Sequence, residues 1–213
     1  MKFKEFLKIY GQMALIEAET FPLYSKTPEQ LRSQVSRWIQ KGWIISLKRG
    51  LYVFSEVYRQ TSVSPLYLAN RLVTPSYVSM EYALGFYDLV PEKVVMLTSV
   101  TTKKTVKFTN TFGTFKYYSI KRKLFSGYTR MNEEGQNVFM ASPEKALLDY
   151  LYFNQSKFKG EYDEFESMRF QNLEQLNCQT LQEYTPMYGA KMRNIINCFI
   201  HYMEDMAREY KNL

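Results

Sequence analysis

Apolar positions in the first sixty residues recur at helical spacing and then switch to alternation. Phe3, Phe6, Leu7 and Tyr10 stand at i, i+3, i+4 and i+7, which predicts a first helix ending near Gly11. A second short helix is expected from Gln12 to Glu19, with Met13 and Ile16 inward and Pro22 to Lys26 as the following turn. Leu31, Val35, Trp38 and Ile39 form the next stripe, at i, i+4, i+7 and i+8. Thr27 is the expected N-cap of that helix, Pro28 suits its first position, and Gln30 completes a Thr-x-x-Gln capping box. Gly42 is the expected stop. Trp43 to Leu47 and Leu51 to Phe54 read as short strands around Lys48-Arg49-Gly50, where Gly50 supplies the positive φ of a tight hairpin.

Past this point Ser64-Pro65 opens a helix through Leu68, Ala69 and Leu72, and Ser79 caps another through Ala83 and Leu84. Val94 to Val100 reads as a buried strand, Thr105 to Thr109 and Thr114 to Ile120 as two more, and Asn137 to Met140 as a further one. Ser142-Pro143-Glu144 starts a helix through Ala146, Leu147, Tyr150 and Leu151. In the last stretch Met192, Ile196, Phe199, Met203, Met206 and Tyr210 are spaced like a short heptad seam, which predicts a core-packing helix ahead of a dimerising one. The fold class expected is α+β. An N-terminal winged helix-turn-helix occupies residues 1–60, and a mixed α+β domain with a helical C-terminus occupies 61–213, joined through 55–63.

Charge sharpens this picture. Residues 1–60 hold ten basic and five acidic side chains, residues 61–130 ten and three, and residues 131–213 eight and thirteen. The excess of positive charge thus falls on the first 130 residues, which suggests a polyanion partner for them. On the third helix the face away from the apolar stripe carries Ser33, Ser36, Arg37 and Gln40, with Glu29 beside them and Arg32 on the flank. Thr27, Lys41, Lys48 and Arg49 complete the expected DNA-contacting set: the helix enters a major groove and the hairpin tip touches phosphate or minor groove. Lys103, Lys104, Lys107, Lys116, Lys121, Arg122 and Lys123 form a second basic cluster. It is expected to extend the DNA track, with an acidic partner or a merely solvated face as the alternatives.

The strings KRGLYVF, PLYLANRLVTPSYVSMEYALGFYDLVPE, LTSVTTKKTVKFTNTFGTFKYYSI and ASPEKALLDYLY, across residues 27–153, resemble the AbiEi-type antitoxin family. Its members are the transcriptional-regulator components of type IV toxin–antitoxin (abortive infection) systems. The resemblance implies repression of the chain's own operon through double-stranded operator DNA. It also implies opposition to a nucleotidyltransferase-like toxin without a stable complex between the two. Residues 154–213 carry no part of the resemblance.

Enzyme chemistry is not expected. Glu92-Lys93 and Glu144-Lys145 are adjacent pairs rather than the Glu-x-Lys of a carboxylate–lysine metal site. Glu144 falls in the first turn of a helix, where the dipole favours it. His201 is the single histidine, glycines are scattered, and no phosphate loop is present, so no metal or cofactor is expected. Cys178 and Cys198 are expected to be reduced and buried, and no segment reads as a membrane span or signal peptide, so a cytoplasmic location is expected. The competing readings are a protein-interaction module that neutralises a toxin directly and a plain transcriptional regulator without a toxin.

Overall fold

The computed structural model describes the backbone of residues 1–211 and the side chains of residues 1–208. The architecture is mixed α+β, and the chain divides into two compact units, Met1–Ser64 and Pro65–Leu213.

The first unit runs α1 (Phe3–Tyr10), β1 (Ile16–Glu17), a 3-10 turn (Ala18–Thr20), α2 (Phe21–Tyr24), α3 (Pro28–Gln40), β2 (Ile44–Lys48) and β3 (Leu51–Phe54). The strands form an antiparallel sheet in the order β1-β3-β2. Its core is aromatic: Phe6 stacks on Tyr10 at 4.5 Å and lies 5.0 Å from Trp38, and Phe21, Leu31, Val35, Ile44 and Phe54 close around them. The expected helix over Gln12–Glu19 does not form. Ile16 is fully buried in β1 opposite Tyr52, while Met13 is 36% exposed. A helix there would have offered the core little beyond Met13 and Ile16, whereas the strand gains ladder bonds, with the Ala18 N–H donating to the Gly50 carbonyl at 2.8 Å.

Two local expectations are also corrected. Thr27 precedes α3, but its side chain makes no cap hydrogen bond, so the capping box with Gln30 is absent. Its backbone N–H donates to Ser25 Oγ at 3.2 Å, and Pro28 at the first position removes one donor that would need capping. The strands of the hairpin are Ile44–Lys48 and Leu51–Phe54, with a register shift between Ser46 and Lys48, so Trp43 lies outside the sheet. The expected linker is partly fastened down. The Tyr58 ring meets Phe3 at 4.9 Å, Gln12 Nε2 donates to Gln60 Oε1, and Thr61 Oγ1 donates to the Gln12 carbonyl.

The second unit is built on a sheet in the order β6-β7-β5-β4-β9-β8. These are β4 (Ser76–Val78), β5 (Leu97–Thr101), β6 (Val106–Asn110), β7 (Gly113–Ser119), β8 (Tyr128–Glu133) and β9 (Gln136–Ala141). The central pair β4·β5 is antiparallel, the flanking pairs β5·β7 and β4·β9 are parallel, and the outer pairs β6·β7 and β8·β9 are antiparallel. The buried strand expected from Val94 begins only at Leu97, and Val95 is 84% exposed. Helices α4 (Pro65–Leu72), α5 (Met80–Phe86) and α6 (Pro143–Asn154) pack on the sheet, while α7 (Tyr162–Glu166), α8 (Cys178–Tyr184) and α9 (Ala190–Lys211) complete the unit. Buried Asn70 on α4 accepts from the Phe139 N–H at 2.7 Å and donates to the Ser76 and Phe139 carbonyls, so one amide ties α4 to β4 and β9. On α9, Met192, Ile196, Phe199 and Met203 are buried together with Ile195, Ile200 and Tyr202. That stripe is wider than a heptad seam and is core packing. The side chain of Tyr210 lies outside the described residues. Cys178 and Cys198 are free thiols but only half-buried, contrary to expectation.

At the centre of this unit Lys145 and Asp149, one turn apart on α6, form an ion pair with both side chains fully buried. Tyr77 and Ser79 donate to Asp149 Oδ2 at 2.9 and 2.8 Å, and the Lys145 ammonium sits 5.8 Å from the Tyr77 ring centroid. Ser79 therefore spends its hydroxyl on Asp149 and not on capping α5. Lys145→Ala leaves a carboxylate buried without its counter-charge and should lower the unfolding free energy by about 3–5 kcal/mol, read from urea midpoints. Lys145→Met combined with Asp149→Asn keeps the acceptor for Tyr77 and Ser79 and should recover at least half of that loss. A double variant as unstable as the single one would show that packing of the lysine stem, rather than charge, holds this site.

Candidate nucleic-acid interface

Helix α3 buries Leu31, Val35 and Trp38. This fixes its rotation, and Glu29, Arg32, Ser33, Ser36, Arg37 and Gln40 are all exposed in consequence. The one acid in that set is Glu29, whose carbonyl accepts from Ser33 Oγ at 3.2 Å. Among the described residues, Arg32, Arg37, Lys41 and Arg49 make no ion pair. Thr27 is exposed at the start of the helix, and Lys41 caps its other end. Gly42 follows at φ 71°, which lets the chain leave the helix and enter β2. At the hairpin turn Gly50 adopts φ 81° and Arg49 is exposed. Lys48 differs from expectation: it is half-buried as the last residue of β2 and engaged within the protein, so Arg49 is the cation the turn presents.

The end of α3 also borders a cleft of about 560 Å³. Lys2, Phe3, Gln34, Arg37, Trp38, Gln40, Lys41 and Trp43 line it. Phe3 lies 5.3 Å from Trp38 and 4.6 Å from Trp43, and the Lys41 ammonium stands 4.8 Å over the Trp43 ring. Gln34 Oε1 is buried without a hydrogen-bond partner. Sequence reasoning reached Arg37, Gln40 and Lys41 but missed Lys2, Gln34 and Trp43.

In the second unit the expected basic cluster gathers at one corner of the sheet. Lys107 and Lys116 are directly paired across β6 and β7. The Ser119 N–H donates to Thr105 Oγ1 at 3.1 Å and the Ile120 N–H to the Thr101 carbonyl at 2.9 Å. These bonds bring the loop with Lys103 and Lys104 beside the segment with Lys121, Arg122 and Lys123. Of the seven, only Lys116 is half-buried, its ammonium 4.5 Å over the Tyr118 ring, and among the described residues none has an acidic partner. Strand β6 is the edge of the sheet, so this corner faces outward.

The buried centre around Asp149 is closed to solvent. Burial pushes the Asp149 carboxyl up, against the pull of Lys145, Ser79 and Tyr77. Burial first, and the Asp149 charge second, pushes the Tyr77 and Tyr188 hydroxyls far above their usual range. Glu144 accepts from Ser142 Oγ at 2.9 Å and from the Asn177 N–H at 3.1 Å, a structural use at the start of α6. Among the described residues no cluster of His, Cys, Asp and Glu is placed to hold a metal ion, and no helix is long and apolar enough to cross a membrane. Comparison with known proteins finds no family model and no curated sequence that matches the chain.

The Lys107–Lys116 pair sets two like charges opposite each other. Lys107→Glu should therefore stabilise the protein by about 0.2–1 kcal/mol at low salt, with the gain shrinking as salt is added. Thermal unfolding at two ionic strengths checks this, and a loss of stability at low salt would show that the two ammonium groups avoid each other by splaying apart.

Proposed function

We propose that the chain is a sequence-specific DNA-binding transcriptional repressor whose first unit is a winged helix-turn-helix. The observation that carries this reading is the outward face of α3, where Arg32, Arg37 and Gln40 stand exposed and, among the described residues, no ion pair engages the arginines. Element order supports it. Helices α2 and α3 are joined by the short turn Ser25 to Thr27, and α3 leads directly into a hairpin with a cation at its tip. On this reading α3 lies in the major groove, Arg37 and Gln40 meet base edges, and Arg49 and Lys41 meet phosphates.

The resemblance read in the sequence extends the proposal. The repressor is the antitoxin of a type IV toxin–antitoxin system, working in the cytoplasm. It autoregulates its operon on double-stranded operator DNA and counteracts a nucleotidyltransferase-like toxin without a lasting complex. The basic corner of β6 and β7 gives the second unit its own surface for a polyanion.

Arg37→Ala should weaken binding to the chain's own promoter by about 1–3 kcal/mol and leave random DNA nearly unaffected. Fluorescence anisotropy on both duplexes checks it, and equal losses would make Arg37 a phosphate contact. Arg49→Ala should weaken binding to every duplex and lower the log–log salt slope by about one unit. An unchanged slope would remove the hairpin from the interface. If the full-length wild-type protein shows no salt-dependent preference for its own promoter, the repressor reading fails.

A further inference from the structure

The cleft at the end of α3 suits a ligand that is anionic at one end and flat at the other. Lys2, Arg37 and Lys41 supply positive charge, and no carboxylate lines it among the described residues. Glu5, close by in sequence, is occupied at the start of α1, where its carboxylate accepts from the Lys2 backbone N–H at 2.8 Å. Phe3 meets the Trp38 ring edge-on and the Trp43 ring at a tilt, which gives the cleft an aromatic wall, and Lys41 is held over the Trp43 ring. Gln34 Oε1 is an acceptor shielded from water with no donor. A buried acceptor in that state calls for an N–H group. The volume, about 560 Å³, lies in the range of small-molecule sites.

We infer that this cleft binds a nucleoside phosphate, its base stacked on the aromatic wall, an amino or ring N–H of the base donating to Gln34, and its phosphate held by Lys2, Arg37 and Lys41. Base stacking on aromatic rings combined with basic side chains along the phosphate is the general chemistry of nucleotide capture. A free mononucleotide and a nucleotide within a single strand both carry this chemistry. Arg37 and Gln40 belong to the cleft and also to the outward face of α3, so occupancy competes with duplex DNA. That last consequence rests on the repressor reading, whereas the binding itself does not.

The chain has two tryptophans, and both line the cleft. Intrinsic fluorescence excited at the red edge of tryptophan absorption therefore reports on the site in the full-length protein. Titration with ATP and with GTP should give saturable quenching, and Lys2→Ala with Lys41→Ala should weaken it at least tenfold. Both lysines are exposed, so the variant should keep the wild-type melting temperature. Adenosine alone should bind at least tenfold more weakly than ATP, and inorganic pyrophosphate should displace the nucleotide without itself changing the fluorescence. A single-stranded oligonucleotide that binds more tightly than the mononucleotides assigns the site to strand nucleotides; the reverse order assigns it to free ones. No saturable quenching, or the same dissociation constant in the double variant, or equal binding of adenosine and ATP, overturns the inference. Quenching that persists when promoter DNA fails to bind at all would uphold the nucleotide site and remove the repressor reading.

Discussion

A carboxylate with no access to water has to be held by everything around it, and Asp149 is in that position. Its partners come from separate parts of the second unit: Lys145 from the same helix, Tyr77 from β4 and Ser79 from the turn into α5. The chain around it is arranged accordingly. Met80, directly after Ser79, is buried at φ 61°, a conformation unfavourable for a side chain with a Cβ. The Tyr77 ring is in turn stacked at 4.7 Å on Tyr128 from the outer strand β8. One desolvated charge thus links α6, the middle of the sheet and one of its edges. Breaking any member leaves polar groups without partners in a space that water does not reach.

The first unit obeys a simpler constraint. It is short, so most of its aromatic residues go into one cluster. Phe3, Phe6, Tyr10, Phe21, Trp38, Trp43 and Phe54 lie on the inner side of α1, α3 and the sheet, in edge-to-face or tilted contacts for the most part. Nothing apolar of that size is left for the outer face of α3. The face is polar because the core has taken the rings, and among the described residues Arg32 and Arg37 make no ion pair, in a unit that carries few acids. At the end of α3 the cluster is not fully covered, and there the aromatic wall and the cations meet in the cleft.

Periodic signals were legible in the sequence and contextual ones were not. The stripe of α3 and the start of α6 follow from spacing and cap residues within one segment, and both elements stand close to where spacing puts them. β1 was not legible, because Ile16–Glu17 is extended only by virtue of β3, which lies far along the chain. β4 and β8 were missed for a like reason. Ser76–Val78 is buried throughout and too short to show a period, and Tyr128–Glu133 interrupts its alternation with consecutive exposed Thr129 and Arg130. At the candidate site the outward residues of α3 could be read from helical geometry alone. Lys2, Gln34 and Trp43 could not, since their meeting depends on how α1 crosses the end of α3. The bulge that turns Lys48 inward was equally invisible, since a one-residue shift of register changes the side to which every later side chain points.

The distribution of charge bears on whether the basic surfaces are merely solvated. A soluble protein gains nothing from separating its signs, because mixed charges lower its self-energy. Here the acids collect in the last part of the chain, beyond residue 130, while Lys107 and Lys116 face each other directly across a strand pair. The ion pairs Lys145 with Asp149, Arg169 with Glu92 and Arg208 with Asp205 involve other side chains, so none of the cluster's charge is neutralised by them. Screening at physiological salt acts over about 8 Å, which softens the repulsion between neighbours but does not reverse it at a cross-strand pair. An arrangement that costs stability in the isolated protein becomes favourable when a polyanion supplies the missing countercharge. The same reasoning applies to the outward cations of α3, where the unpaired state in the isolated protein is what leaves them available to phosphate.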